Sequence, residues 1–179
     1  MAWRNGGGTT TEVHAHCPTG SHFDWRVSIA AIAADGPFSR FVGYDRHIMT
    51  IEGAGFTLSE PEGLIDVAPV YRVRSFAGDL DVMSRLKAGP VRDYNLMVRR
   101  DRYESRLECL FNDEDFNCVV SAGWLLLTVL SGKARQGASN LEAEDSLLAE
   151  SGDSLGLAPV DGPFRLAVCT IRPREPLPI

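Results

Sequence analysis

The chain has 179 residues, of which 44% are hydrophobic and 23% charged, with a formal net charge of −6. That profile fits a globular protein of one large or two small domains and argues against nucleic acid, whose binders carry a basic patch. The basic runs, Arg99-Arg100-Asp101-Arg102 and Arg172 with Arg174, are diluted by acids, and the longest apolar stretch, Val119 to Leu130, is broken by Ser121, Gly123 and Thr128 and is too short to span a bilayer.

The chain opens on Trp3-Arg4-Asn5-Gly6-Gly7-Gly8-Thr9-Thr10. Consecutive glycines lose much backbone entropy on folding. They mark either a close backbone approach to a ligand or a frayed terminal tail. An aromatic face, a cation, an amide and hydroxyls around main-chain N–H groups suit a small polar or anionic ligand. Further on, Trp25 to Ala30 alternates, with Trp25, Val27 and Ile29 on one face and Ser28 on the other, and Asp35-Gly36-Pro37-Phe38 ends it. His47 to Ile51 runs into Gly53-Ala54-Gly55, then Phe56 to Leu58, then Pro61-Glu62-Gly63 and Leu64 to Val67. Val70 to Phe76 alternates and stops at Gly78-Asp79. Strands are expected at Leu80 to Leu86, Tyr94 to Val98, Tyr103 to Phe111, Cys118 to Val120, Trp124 to Leu130 and Arg165 to Ile171. Leu141 to Glu150 has helical composition, but it lies between turn clusters and reads as one or two short strands with a turn. Many short strands with glycine-rich turns predict an all-β sandwich or barrel. Ile48 to Gly53 and Leu126 to Gly132 echo each other as strand–glycine–strand units, which fits a duplicated barrel.

The four cysteines, Cys17, Cys109, Cys118 and Cys169, form no CxxC pair, and the polar glycine run within five residues of Met1 does not read as a signal peptide. Reduced thiols and a cytoplasmic location are expected.

Several motifs together resemble the HutD/Ves family. They are Trp3-Arg4-Asn5-Gly6-Gly7-Gly8 with Thr10 and Glu12, then Trp25 to Ala30, then Asp35-Gly36-Pro37-Phe38-Ser39 with Phe41, Gly43, Asp45 and Arg46. Gly53-Ala54-Gly55, Phe76-Ala77-Gly78-Asp79 and Gly89-Pro90-Val91-Arg92-Asp93-Tyr94-Asn95-Leu96-Met97 with Arg99-Arg100 complete the series. The resemblance implies an all-β, cupin-like double-stranded β-helix with two small barrels in one chain, a bicupin. Residues 1–100 would form the N-terminal barrel and 101–179 the C-terminal one, packed as one compact unit. It also implies association with bacterial histidine utilisation. Members of the family carry an additional strand ahead of the Trp motif. Met1 almost abuts Trp3, so an incomplete first barrel or a truncated start is expected.

The candidate ligand-binding residues are Trp3, Arg4, Asn5, Gly6, Gly7, Gly8, Thr10, Glu12, Ser28, Arg46, Asp93 and Asn95. Arg4 offers a bidentate fork for a carboxylate, and the glycine N–H groups add donors. Ser28 is a ligand contact if its face lines the barrel mouth and inert if it meets water. Asp93, Asn95 and Met97 alternate, so they share a face, which suits a polar cavity floor. The same face would also suit a buried pair tying Asp93 to Arg46 or Arg99, and one arrangement can serve both ends. His14-x-His16 would put two rings on one strand face, but no Glu follows at cupin spacing and only His22 and His47 remain. No metal and no other cofactor are therefore expected. The leading functional expectation is a protein that binds a small carboxylate and has a sensing or regulatory role in histidine utilisation. The alternative is a metal-independent isomerase or hydrolase with Glu12 or Asp93 as general base. Partners are restricted to that ligand and a homodimer through free sheet edges.

Overall fold

A computed structural model of the chain describes residues 1, 7–18, 20, 22–60 and 63–175. Among them every regular element is a strand, and no helix is long and apolar enough to cross a membrane. The chain divides into two compact units, Met1–Arg102 and Tyr103–Ile179.

The first unit contains β1 (Gly8–His16), β2 (Trp25–Ile32), β3 (Gly36–Pro37), β4 (Tyr44–Glu52), β5 (Phe56–Glu60), β6 (Gly63–Asp66), β7 (Arg74–Ala77), β8 (Met83–Leu86) and β9 (Val91–Arg99). They form a five-stranded sheet, β1-β2-β9-β4-β7, and a four-stranded sheet, β3-β8-β5-β6. All pairings are antiparallel. Ile32, Ile48 and Val91 of the larger sheet pack with Phe56 and Leu58 of the smaller one, along with Phe38, Val67 and Val82. The face of the larger sheet that carries Ile32, Ile48 and Val91 is thus the inner wall of the unit.

The second unit contains β10 (Tyr103–Asn112), β11 (Phe116–Val119), β12 (Trp124–Ser131), β13 (Ala134–Gln136), β14 (Ser139–Leu141), β15 (Ser146–Glu150), β16 (Ser154–Pro159) and β17 (Phe164–Pro173). Its sheets run β10-β17-β12-β15 and β11-β16-β13-β14. Between them lies an apolar core of Leu125, Leu127, Val129, Leu155, Leu157, Phe164, Leu166 and Val168.

The internal echo has a structural counterpart. The β4–β9 ladder shifts register between Thr50 and Glu52, just before Gly53, and the β12–β17 ladder shifts between Val129 and Ser131, just before Gly132. Both glycines sit at positive φ, 94° and 75°. A Cβ on Gly53 would lie 2.6 Å from the Pro90 carbonyl oxygen, and one on Gly132 would lie still closer to that of Pro163. Each proline stands directly ahead of the partner strand. Left-handed backbone and close approach together leave room only for glycine.

One strand starts later than the alternation from Val70 predicts. Tyr71 sits at φ 67° and donates its N–H to the Thr50 carbonyl at 2.8 Å, so Val70 to Val73 turn against β4 and β7 begins at Arg74.

Candidate functional site

On a strand, alternate residues share a face, and directly paired residues on neighbouring strands share it too. Val91 and Asn95 are therefore joined on the inner wall by Asp93 and Met97. From β2 come Arg26, Ser28 and Ala30, which pair with Met97, Asn95 and Asp93. From β4 come Arg46, Ile48 and Thr50, which pair with the same three residues in the same order. The structure thus brings Ser28, Arg46, Asp93 and Asn95 onto one buried wall, with exposures of 2%, 4%, 0% and 6%.

Arg46 is surrounded by rings. Its Cζ lies 4.7 Å from the centroid of Phe38, 5.3 Å from Phe76 and 5.6 Å from Phe41. Its Nη1 donates to the Ser39 carbonyl at 3.2 Å, whereas Nε is buried without a hydrogen-bond partner. Aromatic faces attract a guanidinium but satisfy none of its N–H groups. Burial pushes the Arg46 pKa down to about 10, the attraction of Asp93 opposes this, and Arg26 adds to it. Arg26 lies on the other side of Met97, where its Nη2 approaches Sδ at 3.7 Å and its Cζ stands 4.6 Å from Phe23 and 5.6 Å from Phe41. Its Nε too is buried without a partner. Burial lowers its pKa, with Glu12 and then Tyr44 opposing.

Asp93 is the complement. Neither carboxyl oxygen has a hydrogen-bond partner, and burial raises its pKa to about 7 against the pull of Arg46. Arg46 acts on Asp93 through its field, without a hydrogen bond between them. Arg99 is engaged elsewhere, with Asp101 at 2.7 Å and Asp24 at 3.9 Å. Asn95 Oδ1 is likewise buried without a partner, while Thr50 Oγ1 donates to the Val67 carbonyl at 2.5 Å. The wall thus carries free donors around Met97 and free acceptors at Asn95 and Asp93.

The second unit acts as an internal control. Aligning the two ladders on their register shifts sets Arg46 against Leu125, Thr50 against Val129, Asn95 against Val168 and Asp93 against Leu166. Each of these counterparts belongs to the apolar core of its own unit. The same strand frame is therefore built with an apolar wall, so the polar residues of the first unit are not a requirement of the fold. Unsatisfied buried polar groups are costly and call for a reason.

The N-terminal candidates are placed unevenly. Trp3, Arg4, Asn5 and Gly6 lie outside the described residues. Gly7 accepts the Ala33 N–H at 2.9 Å, and Gly8 opens edge strand β1 opposite Ile32. Thr10 pairs with Ala30 and Glu12 with Ser28. Together with Met1, Thr11 and Arg26, Thr10 and Glu12 line a cleft of about 400 Å³. A bulge between Glu12 and His14 then turns the strand over, so His14 and His16 stack on Trp25, at 5.0 and 5.7 Å, on the opposite face of the sheet. Among the described residues no three His, Cys, Asp or Glu side chains are grouped to hold a metal ion.

Arg26, Phe23, Phe41 and Phe76 belong to the cluster but were not among the candidates drawn from the sequence. Arg26 was within reach, because it stands two positions before Ser28 and shares its face. The phenylalanines come from loops and an edge strand, where periodicity carries no information about which ring meets which cation.

The fold is similar to that of a cupin barrel. A cupin 2 conserved barrel domain protein from Leptotrichia buccalis matches with a TM-score of 0.60 at 9% identity, covering 92% of this chain and 89% of that one. The particular lineage is narrower: the chain belongs to the HutD family, whose pattern it matches over residues 1–165. It is 33% identical over 177 residues to a Pseudomonas putida protein described as an uncharacterized 21.2 kDa protein in the hutC 3′ region, covering 93% of this chain and 90% of that protein. It is 35% identical over 143 residues to Protein Ves of Citrobacter koseri, covering 79% and 73% of the two chains. The structure of HutD from Pseudomonas fluorescens SBW25, described as a formate condition, matches with a TM-score of 0.83 at 31% identity, covering 98% of this chain and 94% of that one.

Proposed function

We propose that the protein binds a small organic carboxylate at Arg46 and Arg26 on the inner wall of the first unit, and serves a sensing or regulatory role in histidine utilisation in the cytoplasm. One observation carries the reading: a guanidinium 4% exposed, faced by three phenylalanine rings, with a buried Nε that no described residue accepts from. The guanidinium of Arg26, on the other side of Met97, is partly exposed and faces two phenylalanine rings, and its Nε too is buried without a partner. Two like charges in low dielectric repel, and an anion between them turns that repulsion into attraction. A carboxylate offers planar acceptor geometry for such forks. The position of a relative in the hutC 3′ region supports the histidine-utilisation setting, with urocanate and formylglutamate as the acids to try first.

The test is calorimetric titration and thermal shift with acetate, urocanate and formylglutamate on the wild type and on Arg46→Met. Binding to the wild type, weakened at least tenfold in the variant, supports the reading. Absence of binding by every acid at millimolar concentration removes it. The enzyme alternative keeps one supporting feature, a buried carboxyl whose pKa is raised to about 7, suited to moving a proton near neutrality. Turnover of a bound acid that is lost in Asp93→Asn would favour it.

A further inference from the structure

The two units differ at one flank. Aligned on their register shifts, β2, β9, β4 and β7 of the first unit fall against β10, β17, β12 and β15 of the second, and Arg26, Ser28 and Ala30 of β2 match Arg106, Glu108 and Leu110 of β10. In the first unit β1 lies along the outer flank of β2. In the second no described strand takes that place, and β10 ends its sheet. β10 is the longest edge strand among the described residues, and its ladder with β17 runs from Tyr103 to Asn112 without a bulge. It contains no proline or glycine, and Phe111 stands 58% exposed on it. Proteins either blunt such long regular edges or use them for pairing.

The charges of β10 favour pairing with itself. We propose that the protein forms a homodimer in which β10 pairs antiparallel with β10 of a second copy about a two-fold axis at Leu107, joining the two second units through one continuous sheet. In an antiparallel ladder outward-facing backbone groups must meet outward-facing ones, so the axis passes through a residue and not between two. With the axis at Leu107, Arg106 stands opposite Glu108 of the partner subunit, Glu108 opposite Arg106 of the partner subunit, and Phe111 opposite Tyr103 of the partner subunit. An axis at Arg106 would oppose Glu104 to Glu108 of the partner subunit, and one at Glu108 would leave Arg106 facing Leu110 of the partner subunit. An axis at Ser105 keeps opposite charges together but leaves Phe111 uncovered. Arg106 holds Glu108 of its own strand at 2.7 Å with Nη2, and its side chain is 72% exposed, so its other N–H groups can serve a second carboxylate. Opposite charges and aromatic rings placed directly across a strand pair stabilise it. The pairing uses no residue of the inner wall of the first unit, so it stands apart from the carboxylate reading.

Sedimentation velocity on the full chain, with circular dichroism to confirm folding, tests the register. The wild type is expected to dimerise with rising concentration. Arg106→Glu and Glu108→Arg each turn both cross-strand pairs like-charged, and each should weaken the dimer about tenfold or more. The double variant Arg106→Glu/Glu108→Arg restores the complementarity and should return association to within about threefold of the wild type. Phe111→Ser should weaken it about tenfold by removing the aromatic contact. A wild type that stays monomeric up to millimolar concentration overturns the proposal. So does a dimer indifferent to both single reversals, or a double variant that associates no better than the single ones.

Discussion

Replacing Arg46 and Asp93 together by leucine should make the protein more stable and blind to carboxylates. The fall of the Arg46 pKa to about 10 from its ordinary, higher value corresponds to about 3 kcal/mol against its charged form. The rise of Asp93 from 3.8 to about 7 corresponds to about 4 kcal/mol against its ionised form. Leucine removes both penalties, but added bulk on a packed wall returns about 1–3 kcal/mol. The second unit carries Leu125 and Leu166 at the matching register, so strand geometry itself accommodates them. Exchange of buried charge for well-packed apolar residues is known to stabilise by about 1–4 kcal/mol. We expect a net gain of about 2 kcal/mol at pH 7 without ligand. That is about 4–8 °C in Tm for a chain of this length unfolding as one unit. Urea unfolding followed by circular dichroism gives the stability, and thermal shift with acetate gives the binding. A double variant that stays folded but is less stable than the wild type would show that the two charges are satisfied in the free protein, and the case for a carboxylate bound between the guanidinium groups would fail. So would an undiminished response to acetate.

Asp93 should also make ligand-free stability depend on pH. Its folded pKa lies above its unfolded value, so the folded state holds the proton longer, and the stabilisation is present below about pH 4 and lost as pH rises through about 7. Stability of the wild type relative to Asp93→Leu should fall by up to about 1.4 kcal/mol per pH unit over that window, and a flat difference in urea midpoints from pH 5 to 8 would count against it. Gly53→Ala should destabilise by about 2 kcal/mol or more, because the new Cβ meets the Pro90 carbonyl in left-handed backbone; an unchanged urea midpoint would contradict the duplication of that corner. Asp24→Asn should destabilise by about 3 kcal/mol while leaving carboxylate affinity unchanged, since Asp24 is 2% exposed and holds Arg102 at 2.9 Å; equilibrium unfolding and titration with acetate check the two halves separately.

What the sequence made readable follows periodicity. Alternation from Trp25 to Ala30 and in the Asp93–Met97 stretch placed Ser28, Asp93 and Asn95 on faces that the register confirms. The Leu141–Glu150 stretch, helical by composition, is a strand–turn–strand passage because turn residues flank it. β16 escaped notice: Leu155 and Leu157 alternate inward, but Gly156 and Pro159 weaken the strand signal. A Cβ on Gly156 would lie 2.9 Å from Asn117 Oδ1 on the facing strand β11, a contact that local pattern does not carry. The ring of phenylalanines around Arg46 was hidden for the same reason, since Phe38 and Phe41 come from the connection between β3 and β4 and Phe76 from β7, and they meet the guanidinium only in three dimensions.

The two units together separate what the fold needs from what the site needs. Both use a register shift, a glycine at positive φ and a proline carbonyl pressed against it to turn the sheet at the same corner. Around that corner the second unit is filled by leucine and valine, which is sufficient to hold two sheets together. The first unit places an arginine, an aspartate and an asparagine in the same frame and leaves several of their polar atoms unbonded. Those groups oppose folding, and a ligand bound on that wall, as proposed above, would offset the cost.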